Sequence, residues 1–342
     1  MTLNNIAIKA ALALSLATSA HAAERPNFVF LQGEAQGWSS MSIQMDPNNP
    51  VSKSDFFHTP SLARLAEGGM RFSRFYAPSP RCTPSRAAYF TGKSPAQLHM
   101  TYINPSPMTG RVQLPRTSTE LPLSEVTIAE HLKTAGYATA HFGKWDHRYD
   151  EVSPPQQGYD FSDGYTGNRT GGSKGSGGPA ASPDPKRIDT ITDQALHFID
   201  RQHHTGTPFY LQVSHYAVHL DIYYNQATLE HVRTLPTGRK HNMPEFAAMT
   251  ADMDDSVGRI LDRLSDLDLL KNTWVIFLSD NGGRNSIPKA AERKEHRNAP
   301  LRDGKHSFYE GGIRVPFVVL GPGVKPGSVS TVPVCGVDLL PT

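Results

Sequence analysis

Cysteine is scarce in this chain, with two residues, Cys82 and Cys335, among 342. Two cannot build a disulfide framework, and these two lack the close pairing of a zinc or iron–sulfur site. Excess charge of either sign is also missing, since 34 Lys and Arg face 32 Asp and Glu for a formal net charge of +2. So balanced a chain gathers neither nucleic acid nor an anionic membrane surface, and neither partner is expected. No stretch reaches the ~18 apolar residues needed to span a bilayer. The 28 glycines and 27 prolines stay below the ~25–30% combined share of disordered chains. What remains is a chain that folds around a real core, as one large α/β domain with an appendage or as two domains.

The N-terminus stands apart. Lys9 precedes an Ala/Leu stretch from Ala10 to Ala17, and Ala20-His21-Ala22 has the small-x-small form of a signal-peptidase site. The expected organisation is a signal peptide over 1–22 and a folded domain over 23–342, delivered to the periplasm or outside the cell.

Past residue 22, strand-like and helix-like segments alternate, the pattern of parallel β-α-β units. Strands are expected at Asn27 to Leu31, Tyr137 to Phe142, Phe209 to Val213 and Trp274 to Leu278. Helices are expected from Thr59, with Pro60 in the first turn, to Ala66, and over Thr127 to Ala135, Asp193 to Arg201 and Ala247 to Leu264. Gly164 to Lys186, rich in Gly, Ser and Pro, reads as a mobile surface loop, and Cys335 as a small buried hydrophobe.

Each expected strand ends in polar residues: Glu34 after the first, Lys144-Trp145-Asp146-His147 after the second, His215 to His219 after the third, Asp280-Asn281 after the fourth. Ligands bind at the carboxyl ends of strands in open parallel sheets, so one polar pocket is expected there. Glu, Asp and Asn supply hard oxygen ligands suited to Ca²⁺ or Mg²⁺. Taken singly, Asp280-Asn281-Gly282 is also an ordinary turn signal. His215 and His219 have zinc-pair spacing, but no Glu follows the first.

The sharpest local feature is Cys82-Thr83-Pro84-Ser85-Arg86, followed by a helix-like run to Thr91-Gly92. It resembles the signature of the type I, formylglycine-dependent sulfatases of the alkaline phosphatase superfamily. Further segments are similar to that family's in the same order: Pro26-Asn27, Gly143-Lys144-Trp145, His215 to His219, Ser279 to Gly282, Leu301 to Lys305, and Glu310 to Pro316. The likeness spans residues 26–342.

The resemblance implies a large mixed, mostly parallel β-sheet sandwiched between helices, with the family's small C-terminal domain largely absent after Thr342. It implies hydrolysis of a sulfate ester, on a carbohydrate or another alcohol, through Cα-formylglycine made from Cys82 by a separate maturation enzyme. The metal, Ca²⁺ or alternatively Mg²⁺, would be held by Glu34, residue 82, Asp280 and Asn281. By the same likeness Arg86 would hold the modified residue, and Lys144, His219 and Lys305 would bind the sulfate. His219 would protonate the leaving alcohol near its free pKa of ~6.5, and His147 would be the base that ends the cycle. Two positions depart from the pattern. Glu34-Ala35 stands where the family has adjacent aspartates, leaving Asp46 as a substitute ligand, and Asp146 stands in the histidine's place with His147 one residue later. Two other readings stay open: a phosphoester or phosphonate hydrolase of the same superfamily, and an inactive binder of sulfated glycans. Trp38, Tyr102, Tyr223 and Tyr224 are candidates for stacking on substrate.

Overall fold

The computed structural model describes residues 25–103, 117–118, 120–147, 152–164, 166–172, 178–285 and 296–342. The expected signal peptide lies outside them. β1 (Asn27–Gly33) organises the fold. Val29 and Leu31 enter one hydrophobic core and Phe30 enters another, so the strand is buried on both faces, as a parallel sheet between helices requires.

Twelve strands are described. They are β1, β2 (Met70–Phe72), β3 (Phe75–Tyr76), β4 (Ala138–Gly143), β5 (Phe161–Ser162), β6 (Ala180–Ala181), β7 (Phe209–Ser214), β8 (Tyr223–Tyr224), β9 (Thr273–Ser279), β10 (Phe317–Leu320), β11 (Ser328–Ser330) and β12 (Val334–Cys335). Eight form one sheet in the order β11-β2-β10-β9-β1-β7-β4-β5. Only β10 runs against its neighbours; the other pairings in this sheet are parallel. Sequence pattern located the four central strands, each of which runs on at the site end, β4, β7 and β9 by one residue and β1 by two.

Helices cover both faces. α1 (Pro60–Gly68), α4 (Ile188–Thr205) and α6 (Pro244–Asp266) pack Leu62, Leu65, Ile191, Phe198, Phe246 and Ile260 against Val29 and Leu31. On the other face, α2 (Cys82–Thr91) and α3 (Ile128–Thr134) bring Tyr89, Phe90 and Ala129 to Phe30. α3 begins at Thr127, whose hydroxyl and the Glu130 carboxylate form a reciprocal capping box. The short α5 (Gln226–Val232) and α7 (Glu310–Ile313) complete the described helices.

Two expectations change. The segment read as a mobile surface loop is pinned where it is described: β6 pairs with β8, and Lys186 is buried. Its Gly/Ser content signals turns, but backbone pairing to the 222–224 segment fixes it. Cys335 is half-buried at the end of β12, paired to β3, and sits in neither core. A cavity of about 1020 Å³ opens on the α2/α3 face between Phe28, Phe72, Trp274, Phe317 and Leu340. Its walls are nearly all apolar and hold none of the strand-end polar residues, so the chemistry lies elsewhere.

Candidate active site

The four central strands β9, β1, β7 and β4 lie side by side and parallel, so their carboxyl ends deliver Asp280, Glu34, the 215–219 loop and Lys144 to one edge. Gly143 makes the exit from β4 possible. Its φ is +98°, and a Cβ there would meet the Ser214 carbonyl oxygen at 2.1 Å. α2 points its first turn at the same edge. All ten of its residues are buried, and the helix stops at Gly92 in the left-handed conformation. Ser85 fixes the approach to α2, accepting the Ser79 N–H at 3.1 Å and donating to the Ser79 carbonyl at 2.7 Å.

Glu34 is the hub. Its Oε1 accepts from the Cys82 thiol at 2.8 Å and from Lys305 Nζ at 2.9 Å. Its Oε2 accepts from Arg86 Nη2 at 2.7 Å and lies 3.0 Å from Lys144 Nζ. Lys305 also donates to Cys82 Sγ at 2.9 Å. Arg86 donates through Nη1 to the Lys144 carbonyl at 2.7 Å and approaches Asp280 Oδ2 at 3.4 Å. Asp280 Oδ1 accepts the Ala35 N–H at 2.9 Å. These side chains have almost no exposure, so their charges act through protein rather than water.

Ionisation follows from that burial. Burial pulls the Glu34 carboxyl up, but Lys144, Lys305 and Arg86 outweigh it and hold it well below the usual range. Asp280 moves the other way: burial and the neighbouring Glu34 push it up to about 7. The Cys82 thiol is pushed up to about 12 by burial and by Glu34. Lys144 and Lys305 are raised by the surrounding negative charge and stay ammonium.

His219 reaches the cluster: one of its ring nitrogens, a Glu34 oxygen and Cys82 Sγ all lie within 4.8 Å of one another. Its Nδ1 is 2.6 Å from the Leu220 carbonyl, which can only accept, so Nδ1 carries a hydrogen. Burial and Lys305 then hold its pKa well below 6.5, which corrects the expectation of an ordinary histidine.

His147 is not joined to the cluster. It is buried against Phe90 and Trp145, with neither ring nitrogen hydrogen-bonded among the described residues, and burial pushes it down to about 4. Asp146, with φ +66°, turns inward instead, accepting from Thr83 Oγ1 at 2.8 Å and lying 3.5 Å from Lys144 Nζ. His215 is tied to Ser256 Oγ at 2.9 Å, and so shares no ligand geometry with His219. Asp46 lies 3.8 Å from Arg314 and joins no cation-binding group among the described residues. Of the aromatic candidates, Trp38 is buried beneath Arg314, Tyr102 carries Arg81 over its ring, and Tyr223 carries Lys186.

A hard divalent cation fits the residues present. Asn281 Oδ1 is buried without a hydrogen-bond partner among the described residues, one residue past Asp280, whose carboxylate approaches the same Arg86 that Glu34 accepts from, so two carboxyls and an amide oxygen offer hard donors. Ala35 contributes no ligating atom from its side chain. Three supporting residues gave no sequence signal. Asn298 spans Gly283 and Asp303 with hydrogen bonds of 2.8 and 3.1 Å and so shapes the Lys305 loop. Asp163 accepts the Gly143 N–H at 3.2 Å. Lys186 is buried within a segment whose composition suggested exposure.

This arrangement meets independent likeness to known proteins. The chain is 30% identical over 336 residues to mouse (Mus musculus) N-acetylgalactosamine-6-sulfatase, covering 91% of the chain and 60% of that protein. It is 30% identical over 365 residues to human (Homo sapiens) arylsulfatase A, covering 97% and 66%. The chain thus spans about 60% of the length of the first of these relatives. The crystal structure of Ps i-CgsB in complex with k-i-k-neocarrahexaose shares the fold, with a TM-score of 0.72 and 24% identity over 93% of this chain and 70% of that one. The family model described as Sulfatase matches residues 26–342, which takes in every strand end and the α2 turn described above, and on that match the chain belongs to the sulfatase family, within the alkaline phosphatase superfamily.

Proposed function

We propose that the protein hydrolyses sulfate esters, with Cys82 converted to Cα-formylglycine by a maturation enzyme and a divalent cation, Ca²⁺ or Mg²⁺, held by Glu34, residue 82, Asp280 and Asn281. The observation that carries this reading is the setting of position 82, at the head of a buried helix, between Glu34 Oε1 at 2.8 Å and Lys305 Nζ at 2.9 Å. A thiol pushed up to about 12 there stays protonated and is a poor nucleophile at neutral pH. A hydrated formylglycine supplies an oxygen nucleophile at that point, and a bound cation polarises the ester.

The chain's own groups supply the rest. Arg86 fixes Glu34 and the Lys144 carbonyl with charge-assisted bonds. Lys144 and Lys305 offer two ammonium groups to sulfate oxygens and to charge developing on the bridging oxygen. His219 presents Nε2; it takes up a proton there, favoured by the bound anion, before donating it to the leaving alcohol. Asp146, held by Thr83 beside Lys144, is placed where the family has its histidine and is the acid–base group proposed in place of His147. The relatives named for N-acetylgalactosamine 6-sulfate and crystallised with neocarrahexaose support a carbohydrate ester as substrate. The Ala/Leu stretch from Ala10 to Ala17, followed by Ala20-His21-Ala22, supports secretion to the periplasm or beyond; no described helix is long and apolar enough to cross a membrane.

Ala35 and the buried His147 favour a second reading, a binder of sulfated glycans without turnover. The test is expression with a formylglycine-generating enzyme, then turnover of 4-nitrophenyl sulfate against 4-nitrophenyl phosphate, with Cys82→Ala as control. Sulfate release that vanishes in C82A is expected. Preference for the phosphate points to a phosphoesterase, and saturable binding of a sulfated glycan without release supports the binder.

A further inference from the structure

The distance in sequence between Cys82 and Cys335 argues against a thiolate pair, but the fold gives Cys82 donors of other kinds. Its Sγ, a Glu34 oxygen and a ring nitrogen of His219 lie within 4.8 Å of one another, the one such convergence of three or more His, Cys, Asp or Glu ligand atoms among the described residues. Backbone contacts hold the three in place. The Glu34 N–H donates to the Ala217 carbonyl and the Val218 N–H to the Glu34 carbonyl, both at 2.8 Å, so Glu34 and the histidine loop are laced together. His219 closes that loop with its own N–H on the Tyr216 carbonyl at 3.0 Å. Cys82 enters from the first turn of α2, which Ser85 anchors at Ser79 and Arg86 anchors at the Lys144 carbonyl.

This set differs in chemistry from the oxygens of Asp280 and Asn281. Sulfur and imidazole nitrogen are poor ligands for Ca²⁺ or Mg²⁺ and good ones for Zn²⁺, which takes thiolate, imidazole and carboxylate in a tetrahedron. His219 is already oriented as zinc-bound histidines are: Nδ1 gives its hydrogen to the Leu220 carbonyl at 2.6 Å, which leaves the lone pair on Nε2. The thiol hydrogen lies between Sγ and Glu34 Oε1, 2.8 Å apart, and an ion would take its place. Tetrahedral zinc, about 2.3 Å from sulfur and about 2.1 Å from oxygen, needs those two atoms about 3.6 Å apart, an opening of about 0.8 Å. Lys305, 2.9 Å from both atoms, is the competing cation. A thiolate has lone pairs for both, so the ammonium remains as a hydrogen-bond donor to the metal-bound sulfur. His219 is half-buried where Cys82 and Glu34 are buried, and so marks the side from which an ion and a water as fourth ligand enter.

We propose that, while Cys82 is still a thiol, Glu34, Cys82 and His219 form a zinc site in which Zn²⁺ binds Sγ, Nε2 and a Glu34 oxygen and the displaced thiol proton passes to solvent. Conversion of Cys82 removes the sulfur ligand, so zinc retention belongs to the unconverted chain. The proposal concerns the protein before any such conversion and stands whether or not sulfate esters are turned over. Its test uses protein made without a maturation enzyme, its intact thiol confirmed by peptide mass, titrated with Co²⁺ as a coloured stand-in for zinc. One equivalent should give a near-ultraviolet thiolate-to-cobalt charge-transfer band and the visible bands of a four-coordinate ion. One equivalent of Zn²⁺ should erase them, and about a hundredfold excess of Ca²⁺ should not. Cys82→Ser should lose the charge-transfer band and weaken zinc binding at least about a hundredfold, with Cys82→Ala in reserve should the serine variant fail to fold. His219→Gln should weaken it about tenfold or more, and Cys335→Ser should change neither readout. No charge-transfer band in the wild type, a band that survives loss of the Cys82 sulfur, or one lost with Cys335 would overturn the proposal. Turnover of 4-nitrophenyl sulfate by the matured protein is a separate readout: without turnover the sulfatase reading fails and this one stands, and without the band the reverse holds.

Discussion

Replacing Glu34 by glutamine keeps the shape of the side chain and removes the one charge on which the site converges. In the wild type that carboxylate faces the Cys82 thiol and the cations of Lys305, Arg86 and Lys144, all within 2.7 to 3.0 Å and with almost no exposure. After the substitution, Arg86 keeps Asp280 and the Lys144 carbonyl, Lys144 keeps Asp146 at 3.5 Å, and Lys305 keeps the thiol. The amide NH₂ would also point a donor at ammonium donors. Breaking a buried ion pair on one side costs about 3–5 kcal/mol. Asp280, relieved of its neighbour, can ionise more fully and recover part of that. The net loss should sit near the lower end, lowering the melting temperature by about 4 °C. The assay is thermal unfolding at pH 7 with chelator present. Asp262→Asn is the control, because its pair with Arg64 is more than half exposed and should cost about 0–1 kcal/mol at most. A Glu34→Gln melting temperature equal to or above wild type would refute the picture of a charged hub.

Other consequences follow from the same geometry. Ala35→Asp restores a carboxylate beside Glu34, and Asp tolerates the left-handed φ of +54° there. Calcium affinity by calorimetry should rise about tenfold or more, and no gain would show that position 35 is not a ligand site. Calcium binding to the wild type near pH 6.5 should release up to about one proton, seen as a dependence of binding heat on the buffer, because Asp280, pushed up to about 7, must ionise to ligate; no dependence would contradict a raised Asp280. Gly143→Ala forces a Cβ to 2.1 Å from the Ser214 carbonyl at φ +98°, and should lower stability by more than about 2 kcal/mol in urea unfolding. His241, stacked on Phe57 and bonded to Ser54 at 2.8 Å, is pushed down to about 3 by burial and by Lys240. The unfolded chain, at ~6.5, takes up that proton first, so stability falls as pH drops from 6.5 toward 3. His241→Gln should flatten the loss between pH 6.5 and 4.5, as read by urea midpoints at each pH, and an unchanged slope would count against a neutral buried imidazole.

How much of this was legible in the sequence depends on the kind of signal. Buried parallel strands such as Phe209 to Ser214 announce themselves as short apolar runs ending in polar residues, and α1 is bracketed by Pro60 and a glycine pair. The length of α4 was not legible. Its start at Ile188 is set by the Asp184 carboxylate after a turn that no periodicity marks. The strands β2, β10 and β11 on one side of the sheet are three or four residues long, too short to show a period, and lie together only through long-range pairing.

The candidate site divides in the same way. Cys82, Arg86, Lys144, Asp280 and Lys305 sit in motifs, and the strand-end positions of Glu34, Lys144, His219 and Asp280 suggested one pocket. Strand order, which the sequence does not state, made β9, β1, β7 and β4 neighbours. The exchange at 146 and 147 was visible, but its outcome was not: a φ of +66° at Asp146 sends the carboxylate to Thr83 and leaves His147 among aromatic rings. Lys186 was hidden because glycine and serine around it mimic a solvated loop.

The most direct test of the central claim is mass spectrometry of the peptide spanning Cys82, from protein co-expressed with a formylglycine-generating enzyme and cut with a protease that spares Arg81 and Arg86. The account predicts an aldehyde at position 82. An intact thiol under those conditions would contradict it.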